Sequence, residues 1–262
     1  MAGELQLREA SVTYRQAGGR ALRAVDSVDL SIRPGEVVGL VGESGCGKST
    51  LAKAICGLEP LSGGTATFDG EPIERLGLRR RPERLLRIQM VFQNPYASLN
   101  PRRRVGAQIE DARAIHPGTP RTVPELLAEV GLPAQAARRY PHEFSGGQRQ
   151  RIAIARAVAS GPELLIGDEP IASLDASLQA RIAMLMRDIA LQAGASLLFI
   201  SHDLAVVRLI ADRVAIMHSG RIVEAGPTEQ IWSQPREPYT RRLLAAIPQA
   251  DGLGHLPDLA EA

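Results

Sequence analysis

A glycine-rich loop between a short apolar run and a helix is the sequence feature that most constrains the fold. The apolar run covers residues 37–41, the loop G-E-S-G-C-G-K-S covers residues 42–49, and a helix is predicted from residue 48 to residue 56. Glycines allow successive backbone N–H groups to point inward as an anion nest. The helix N-terminus adds about half a positive charge. A strand, G-x-x-x-x-G-K-[ST] and a helix in this order predict a loop that cradles nucleotide phosphates.

Two side chains of this loop carry the expected chemistry. Lys48 reaches the β- and γ-phosphates, and the Ser49 hydroxyl binds Mg²⁺. The chain contains only one other lysine, Lys53, and its remaining Lys and Arg positions are all arginine. A compact ammonium therefore stands where phosphate chemistry needs one. The residues expected to contact nucleotide are Gly42, Glu43, Ser44, Gly45, Cys46, Gly47, Lys48, Ser49 and Thr50.

A second candidate site lies in residues 164–169, L-L-I-G-D-E, where an apolar strand ends in two acids. Asp168 would lie beside the glycine loop and hold Mg²⁺, directly or through water. Glu169 would polarise the attacking water. The alternative is an acid that caps the turn after the strand. The glycine loop upstream favours the catalytic interpretation.

A second glycine motif, F-S-G-G-Q at residues 144–148, leads into a predicted helix at residues 149–159. A serine hydroxyl and glycine amides at a helix N-terminus form an anion site, although such a sequence alone also fits an ordinary helix cap. Together with the motifs above, it resembles the signature sequence of ATP-binding cassette (ABC) ATPases. We therefore expect Ser145, Gly146, Gly147 and Gln148 to contact nucleotide.

The resemblance implies roles for further residues. It implies that Tyr14 stacks on adenine, that Gln93 contacts Mg²⁺ or the attacking water, and that His202 contacts the γ-phosphate. It also implies that residues 173–175, with Asp175, form a loop that meets another subunit. The alternatives are a surface tyrosine on a strand and a structural histidine. The other histidines lack such a context and are interpreted as surface residues: His116, His142, His218 and His255.

The family's architecture implies a head-to-tail dimer that encloses two ATP molecules. In each site, the glycine loop of one subunit faces the signature of the other. The catalytic residues implied are Lys48, Gln93, Glu169 and His202. The Mg²⁺ ligands implied are Ser49, Gln93 and Asp168.

The predicted fold class is α/β: a P-loop ABC cassette with a RecA-like core, an antiparallel β subdomain and an inserted helical subdomain. Strands that alternate with helices indicate a mostly parallel sheet. The strand pattern fades at Gln93 and returns at residue 164. We therefore assign residues 1–92 and 161–248 to the nucleotide-binding core, residues 93–160 to the helical subdomain, and residues 249–262 to a tail.

Composition narrows the possible environments. A net charge of +2 gives no reason to expect a nucleic-acid partner. Cys46 and Cys56 have neither metal-ligand nor disulfide spacing, which fits a reducing cytosol. We expect no signal peptide, and no apolar stretch is long enough to span a membrane. A membrane role would therefore depend on a partner.

Two segments narrow the resemblance. Residues 93–102, Q-N-P-Y-A-S-L-N-P-R, and residues 238–244, P-Y-T-R-R-L-L, resemble dipeptide, oligopeptide and nickel importer ATPases, closest to the second (F-type) of their two paired subunits. This implies ATP- and Mg²⁺-dependent uptake of peptides, nickel or metal chelates. The implied partners are a paralogous ATPase subunit, two transmembrane permease subunits and an extracytoplasmic solute-binding protein. The implied location is the cytoplasmic face of the plasma membrane.

Other interpretations stay open at this stage. Longer members of the group carry a cysteine-bearing tail, and because no cysteine follows Pro248 we expect no iron–sulfur cluster. A soluble ABC ATPase attached to an enzyme complex such as phosphonate C–P lyase would have a similar length and C-terminal pattern. A non-hydrolysing, ATP-gated scaffold is a third class, against which the acid at 169 and the histidine at 202 argue.

Overall fold

The computed structural model describes residues 3–15, 21–77, 82–94, 98–115, 121–172 and 174–246. The predicted tail at 249–262, residue 173 of the loop next to Asp175, and the histidines at 116 and 255 lie outside the described residues. Within the described parts, two sheets and a set of helices form the fold.

The first sheet is antiparallel, with the order β2-β1-β4-β5. Its strands are β1 (Leu5–Arg15), β2 (Ala21–Ile32), β4 (Gly63–Phe68) and β5 (Glu71–Pro72). The prediction began β2 at residue 28, but the strand begins at Ala21 because its first residues pair with the end of β1, Tyr14 opposite Leu22. These first residues are mostly exposed and lack the apolar alternation that marks a strand in sequence.

The second sheet has six strands in the order β10-β9-β3-β8-β7-β6. They are β3 (Val37–Val41), β6 (Ile88–Val91), β7 (Leu164–Asp168), β8 (Ser196–Ser201), β9 (Arg213–His218) and β10 (Arg221–Pro227). The first five in chain order pair in parallel, and β10 pairs antiparallel with β9 across the predicted two-residue turn at residues 219–220. Strands β3, β7 and β8 are buried along their whole length, as parallel strands covered on both faces are.

The described α-helices are α1 (Lys48–Ile55), α2 (Glu83–Leu86), α3 (Val105–Arg113), α4 (Val123–Glu129), α5 (Gly146–Ala159), α6 (Ala176–Gln192), α7 (Leu204–Ile210), α8 (Thr228–Ser233) and α9 (Pro238–Ala245). Residues 98–115 and 121–160 contain helices and loops and no strand, which agrees with a helical insertion. Its boundaries at 93 and 160 stay a prediction. Across the described residues, no helix has the length and apolarity that crossing a bilayer requires.

The core lies on both faces of the parallel sheet, and β3 shows this residue by residue. Val38 and Leu40 face a cluster that contains α1 and the antiparallel sheet. Val37 and Val41 face a second cluster, built largely from helices α3 to α7. Because successive strand residues point to opposite faces, β3 is packed on both sides and holds the glycine loop that follows it in a fixed position.

Candidate active site

The glycine loop connects β3 to α1, and any side chain at its last glycine would collide with a neighbouring strand. Gly47 has φ = 111°, and a Cβ atom there would lie 2.2 Å from the Ala24 carbonyl oxygen of β2. On the other side of the loop, the Gly220 N–H donates to the Cys46 carbonyl at 2.9 Å. Strand β2 and the β9–β10 turn therefore fix the loop from outside.

The Lys48 side chain is folded back onto this loop. It is 4% exposed, and its Nζ donates to the Gly42 carbonyl at 2.7 Å and to the Glu43 carbonyl at 2.9 Å. The same Nζ lies 3.7 Å from a Glu169 carboxylate oxygen. The ammonium is therefore held in place, with its charge available to the cavity in front of the loop.

A serine and a carboxylate from distant parts of the chain meet beside Lys48. The Ser49 hydroxyl donates to Asp168 Oδ1 at 2.8 Å, and Asp168 is 6% exposed. Burial raises the pKa of the Asp168 carboxyl; the Ser49 hydrogen bond opposes this rise, and the negative charge of Glu169 adds to it. A hydroxyl and a carboxylate are oxygen ligands of the kind Mg²⁺ prefers, and a cation here would compensate the buried charge. The residues present therefore fit a magnesium ion.

Two further polar residues of the site, Glu169 and His202, are bonded to each other. Glu169 Oε2 lies 2.6 Å from His202 Nδ1, and the Glu169 N–H donates to the Ile200 carbonyl at 3.0 Å. Glu169 has φ = 49°, a left-handed conformation that costs energy for a residue with a side chain. The carboxylate is thus held between Lys48 and His202, where it can accept a proton from a water molecule.

One cavity of about 440 Å³ brings together ten of the predicted site residues. Its lining contains the predicted residues Tyr14, Ser44, Gly45, Gly47, Lys48, Ser49, Thr50, Gln93, Glu169 and His202. It also contains Leu22 and Ala24 of β2, which the sequence reasoning missed. No local motif marks these two; only the pairing of β2 with β1 places Leu22 next to Tyr14.

Other predicted residues do not line this cavity. Gly42, Glu43 and Cys46 belong to the loop without forming the cavity wall, and Asp168 lies behind Ser49. The Cys46 thiol is buried, which raises its pKa. Asp175 and the residues of the second glycine motif also lie outside the cavity lining: Ser145, Gly146, Gly147 and Gln148.

The second glycine motif forms the first turn of α5, which begins at Gly146 rather than at residue 149. Ser145 caps the helix: its Oγ accepts from the Gln148 N–H at 3.3 Å, and Gln148 Oε1 accepts from the Ser145 N–H at 3.0 Å. Ser145, Gly146 and Gln148 are exposed. Asp175 caps α6 through a 3.0 Å bond from the Leu178 N–H. Contact of these residues with a nucleotide stays a prediction.

Two histidines outside the site have different surroundings. His142 is exposed, as predicted. His218 is half-buried, and its ring centroid lies 4.0 Å from that of Tyr239. His218, predicted as a surface residue, is therefore only partly exposed, because Tyr239 of α9 packs against its ring.

Comparison with known proteins identifies the family of this chain. The model of the family described as "ABC transporter" matches residues 25–172, more than half of the chain. The chain belongs to the ABC transporter family. A putative peptide import ATP-binding protein of Brucella abortus is 49% identical over 93% of this chain and 75% of that protein. The oligopeptide transport ATP-binding protein OppF of Lactococcus lactis is 45% identical over 94% of this chain and 81% of that protein.

A solved structure supports the same assignment. The dimeric, post-hydrolysis ATP-binding cassette MJ0796 bound to ADP and Pi has a TM-score of 0.72 at 26% identity, over 86% of this chain and 98% of that chain. The predicted fold class, an α/β ABC cassette, and the predicted enzyme class, an ATPase, are confirmed.

Proposed function

We propose that this ABC cassette hydrolyses ATP to power peptide import through a partner permease. The names of the two relatives support import of peptides over nickel or metal chelates, and over the alternative of a soluble enzyme complex. One observation carries the proposal: a single cavity brings the lysine of the glycine loop together with the bonded pair Glu169 and His202. The second glycine motif does not line this cavity.

The main polar residues in and beside the cavity each have a proposed role. Lys48 binds the β- and γ-phosphates, and Tyr14 with Leu22 forms the wall for the base. Ser49, Gln93 and Asp168 hold Mg²⁺, which when bound neutralises charge on the β- and γ-phosphate oxygens. Glu169 accepts the proton of the attacking water, and His202 orients that carboxylate through the 2.6 Å contact while it faces the γ-phosphate.

A second ATPase subunit completes each site in this proposal. Ser145, Gly146, Gly147, Gln148 and Asp175 act on the nucleotide held by that subunit. The exposed, already capped start of α5 and the dimeric form of the cassette MJ0796 support this arrangement. We propose a paralogue as the second subunit, together with two permease subunits and an extracytoplasmic solute-binding protein. The cassette would then lie at the cytoplasmic face of the membrane.

Glu169→Gln tests the catalytic part of the proposal. The change removes the proton acceptor and leaves the glycine loop intact, so ATP turnover should fall at least about 100-fold while ATP binding is kept. Glu229→Gln, at an exposed glutamate of α8, is the matched control and should leave turnover unchanged. Turnover near the native rate in the Glu169 variant would remove this residue from catalysis.

Purification of the native complex tests the transport part. Recovery of the chain with two hydrophobic membrane subunits, and ATPase activity stimulated by peptides in membrane vesicles, is expected. Recovery with a soluble enzyme core and without membrane subunits would contradict import.

A further inference from the structure

The Tyr239 side chain, on helix α9, contacts the back of the glycine loop. Its hydroxyl accepts a hydrogen bond from the Glu43 N–H at 3.2 Å, across 196 positions of sequence. Tyr239 is 7% exposed, and its ring packs on His218 at the end of β9 with a centroid distance of 4.0 Å. This contact lies outside the cavity, because neither Tyr239 nor Glu43 belongs to the cavity lining.

The bonded N–H belongs to the same peptide group as the carbonyl that holds Lys48. That group joins Gly42 to Glu43, and the Gly42 carbonyl accepts from Lys48 Nζ at 2.7 Å. In a planar trans peptide the N–H and C=O point in opposite directions, so fixing one fixes the other. Tyr239 on one side of this peptide therefore determines where the carbonyl on the other side presents its oxygen to Lys48.

Helix α9 is itself anchored, so the tyrosine is a fixed point. The Glu224 carboxylate of β10 accepts from the Arg236 N–H at 2.8 Å and from the Glu237 N–H at 3.2 Å, just before the helix begins. Burial raises the pKa of the Tyr239 hydroxyl, so it stays protonated and neutral at physiological pH. Hydrogen bonds therefore connect β10 to the residues just before α9, and Tyr239 of α9 to the glycine loop.

We propose that Tyr239 is a positioning residue for ATP binding: through the Gly42–Glu43 peptide it holds the Lys48 ammonium where the β- and γ-phosphates bind. This inference rests on the proposed function, since it assigns Lys48 to the phosphates of ATP. It gives the C-terminal segment P-Y-T-R-R-L-L a role in supporting the nucleotide site from outside the cavity. Without the hydroxyl, the peptide would be free to rotate and Lys48 would lose part of its preorganisation.

Tyr239→Phe is the direct test, because it keeps the buried ring and its packing against His218 and removes only the hydroxyl. The dissociation constant for ATP should rise about 3- to 10-fold, the size of effect that one hydrogen bond produces. Tyr140→Phe, the same chemical change on the ring stacked against His142, is the matched control and should leave ATP affinity unchanged. Thermal unfolding of each variant verifies that the protein is folded at the temperature of the binding measurement.

A comparison of ATP with AMP separates positioning from a general loosening of the site. Both are measured as competitors of a fluorescent ATP analogue. AMP lacks the phosphates assigned to Lys48, so loss of positioning should weaken ATP binding and leave AMP binding within about twofold. An equal loss for both nucleotides would make the role merely structural and overturn the proposal, and so would unchanged ATP affinity in Tyr239→Phe. Failure of the native chain to bind ATP would instead reject the proposed function.

Discussion

At the scale of one residue, Asp168 is a buried carboxylate of the site. Its carboxylate is buried and accepts a hydrogen bond from Ser49. Burial raises its pKa, so the folded chain holds this proton more tightly than the unfolded chain does. The group therefore favours folding at low pH and opposes it once the pH exceeds its folded-state pKa. Under the proposed function, a bound Mg²⁺ would compensate this cost.

Asp168→Asn should accordingly stabilise the chain while it damages the ATPase. At pH 7, without Mg²⁺ and nucleotide, the variant should unfold at a higher temperature than the native chain, because a buried charge is gone. The difference should shrink as the pH falls from the raised folded-state pKa to below 3.8, the ordinary pKa of an aspartate, because first the folded and then the unfolded carboxyl gains its proton over this range. Mg²⁺-dependent hydrolysis should be lost.

Asp26→Asn is the control for that experiment. Hydrogen bonds from Arg23 and Arg221 lower the pKa of Asp26, so its charge is favoured in the folded state and the substitution should not raise the unfolding temperature. A native-like unfolding temperature of Asp168→Asn across the whole pH range would contradict the assigned cost of burial.

At the scale of elements, the junction between β3 and α1 depends on what surrounds it as well as on its own torsions. Gly45 and Gly47 both have positive φ, 81° and 111°. A Cβ atom at Gly45 would meet nothing within 4 Å, whereas one at Gly47 would lie 2.2 Å from a backbone oxygen of β2. The same motif thus contains one glycine required by torsion alone and one required also by packing.

Gly47→Ala and Gly45→Ala form a matched pair that separates these two causes. Gly45→Ala should cost about 1–2 kcal/mol in the free energy of unfolding, the penalty of a left-handed alanine. Gly47→Ala should cost about 1–3 kcal/mol more, because the backbone of β2 has to move. Urea unfolding without nucleotide measures both. Equal costs for the pair would show that the contact with β2 is unimportant.

The boundaries of elements were the least predictable part of the fold. The prediction began α5 at residue 149, but the Ser145 cap begins it at Gly146, so the glycines of the signature are helical. Strand β2 also begins earlier than predicted, because its first residues pair with β1 although they have no alternating apolar pattern. In both cases hydrogen bonds outside the periodic apolar pattern determine the boundary.

At the scale of the whole molecule, the site is incomplete within one chain under the proposed function. The cavity lining contains the glycine loop, Glu169 and His202 and does not contain residues 145–148. The start of α5 nevertheless has a hydrogen-bonded cap of its own, because Ser145 and Gln148 bond to each other. A site shared between two subunits requires such a motif, which is exposed and does not line the cavity of its own chain.

Ser145→Arg should therefore block hydrolysis by the assembled complex and spare ATP binding by the isolated chain. The long, charged side chain would occupy the place of the second subunit's nucleotide, while the cavity of its own chain is untouched. Ser233→Arg, at an exposed serine at the end of α8, is the control and should leave both activities unchanged. Loss of ATP binding by the isolated Ser145 variant would contradict the shared site.

The sequence by itself determined the parts of this protein that are local. Apolar runs predicted the parallel strands, and the glycine motif between a strand and a helix predicted the nucleotide loop. Residue types at fixed spacing nominated Lys48, Ser49, Asp168 and Glu169, because each of their motifs spans only a few positions of chain, and the family resemblance added His202.

The tertiary structure alone decided which distant groups touch. Ser49 and Asp168 lie 119 positions apart, and Glu43 and Tyr239 lie 196 apart, yet each pair shares a hydrogen bond. Strand pairing brought Leu22 next to Tyr14, and the return of α9 covered part of His218. Such contacts depend on strand order and on how helices pack over the sheet. These are properties of the whole chain, for which no short stretch of sequence carries the signal.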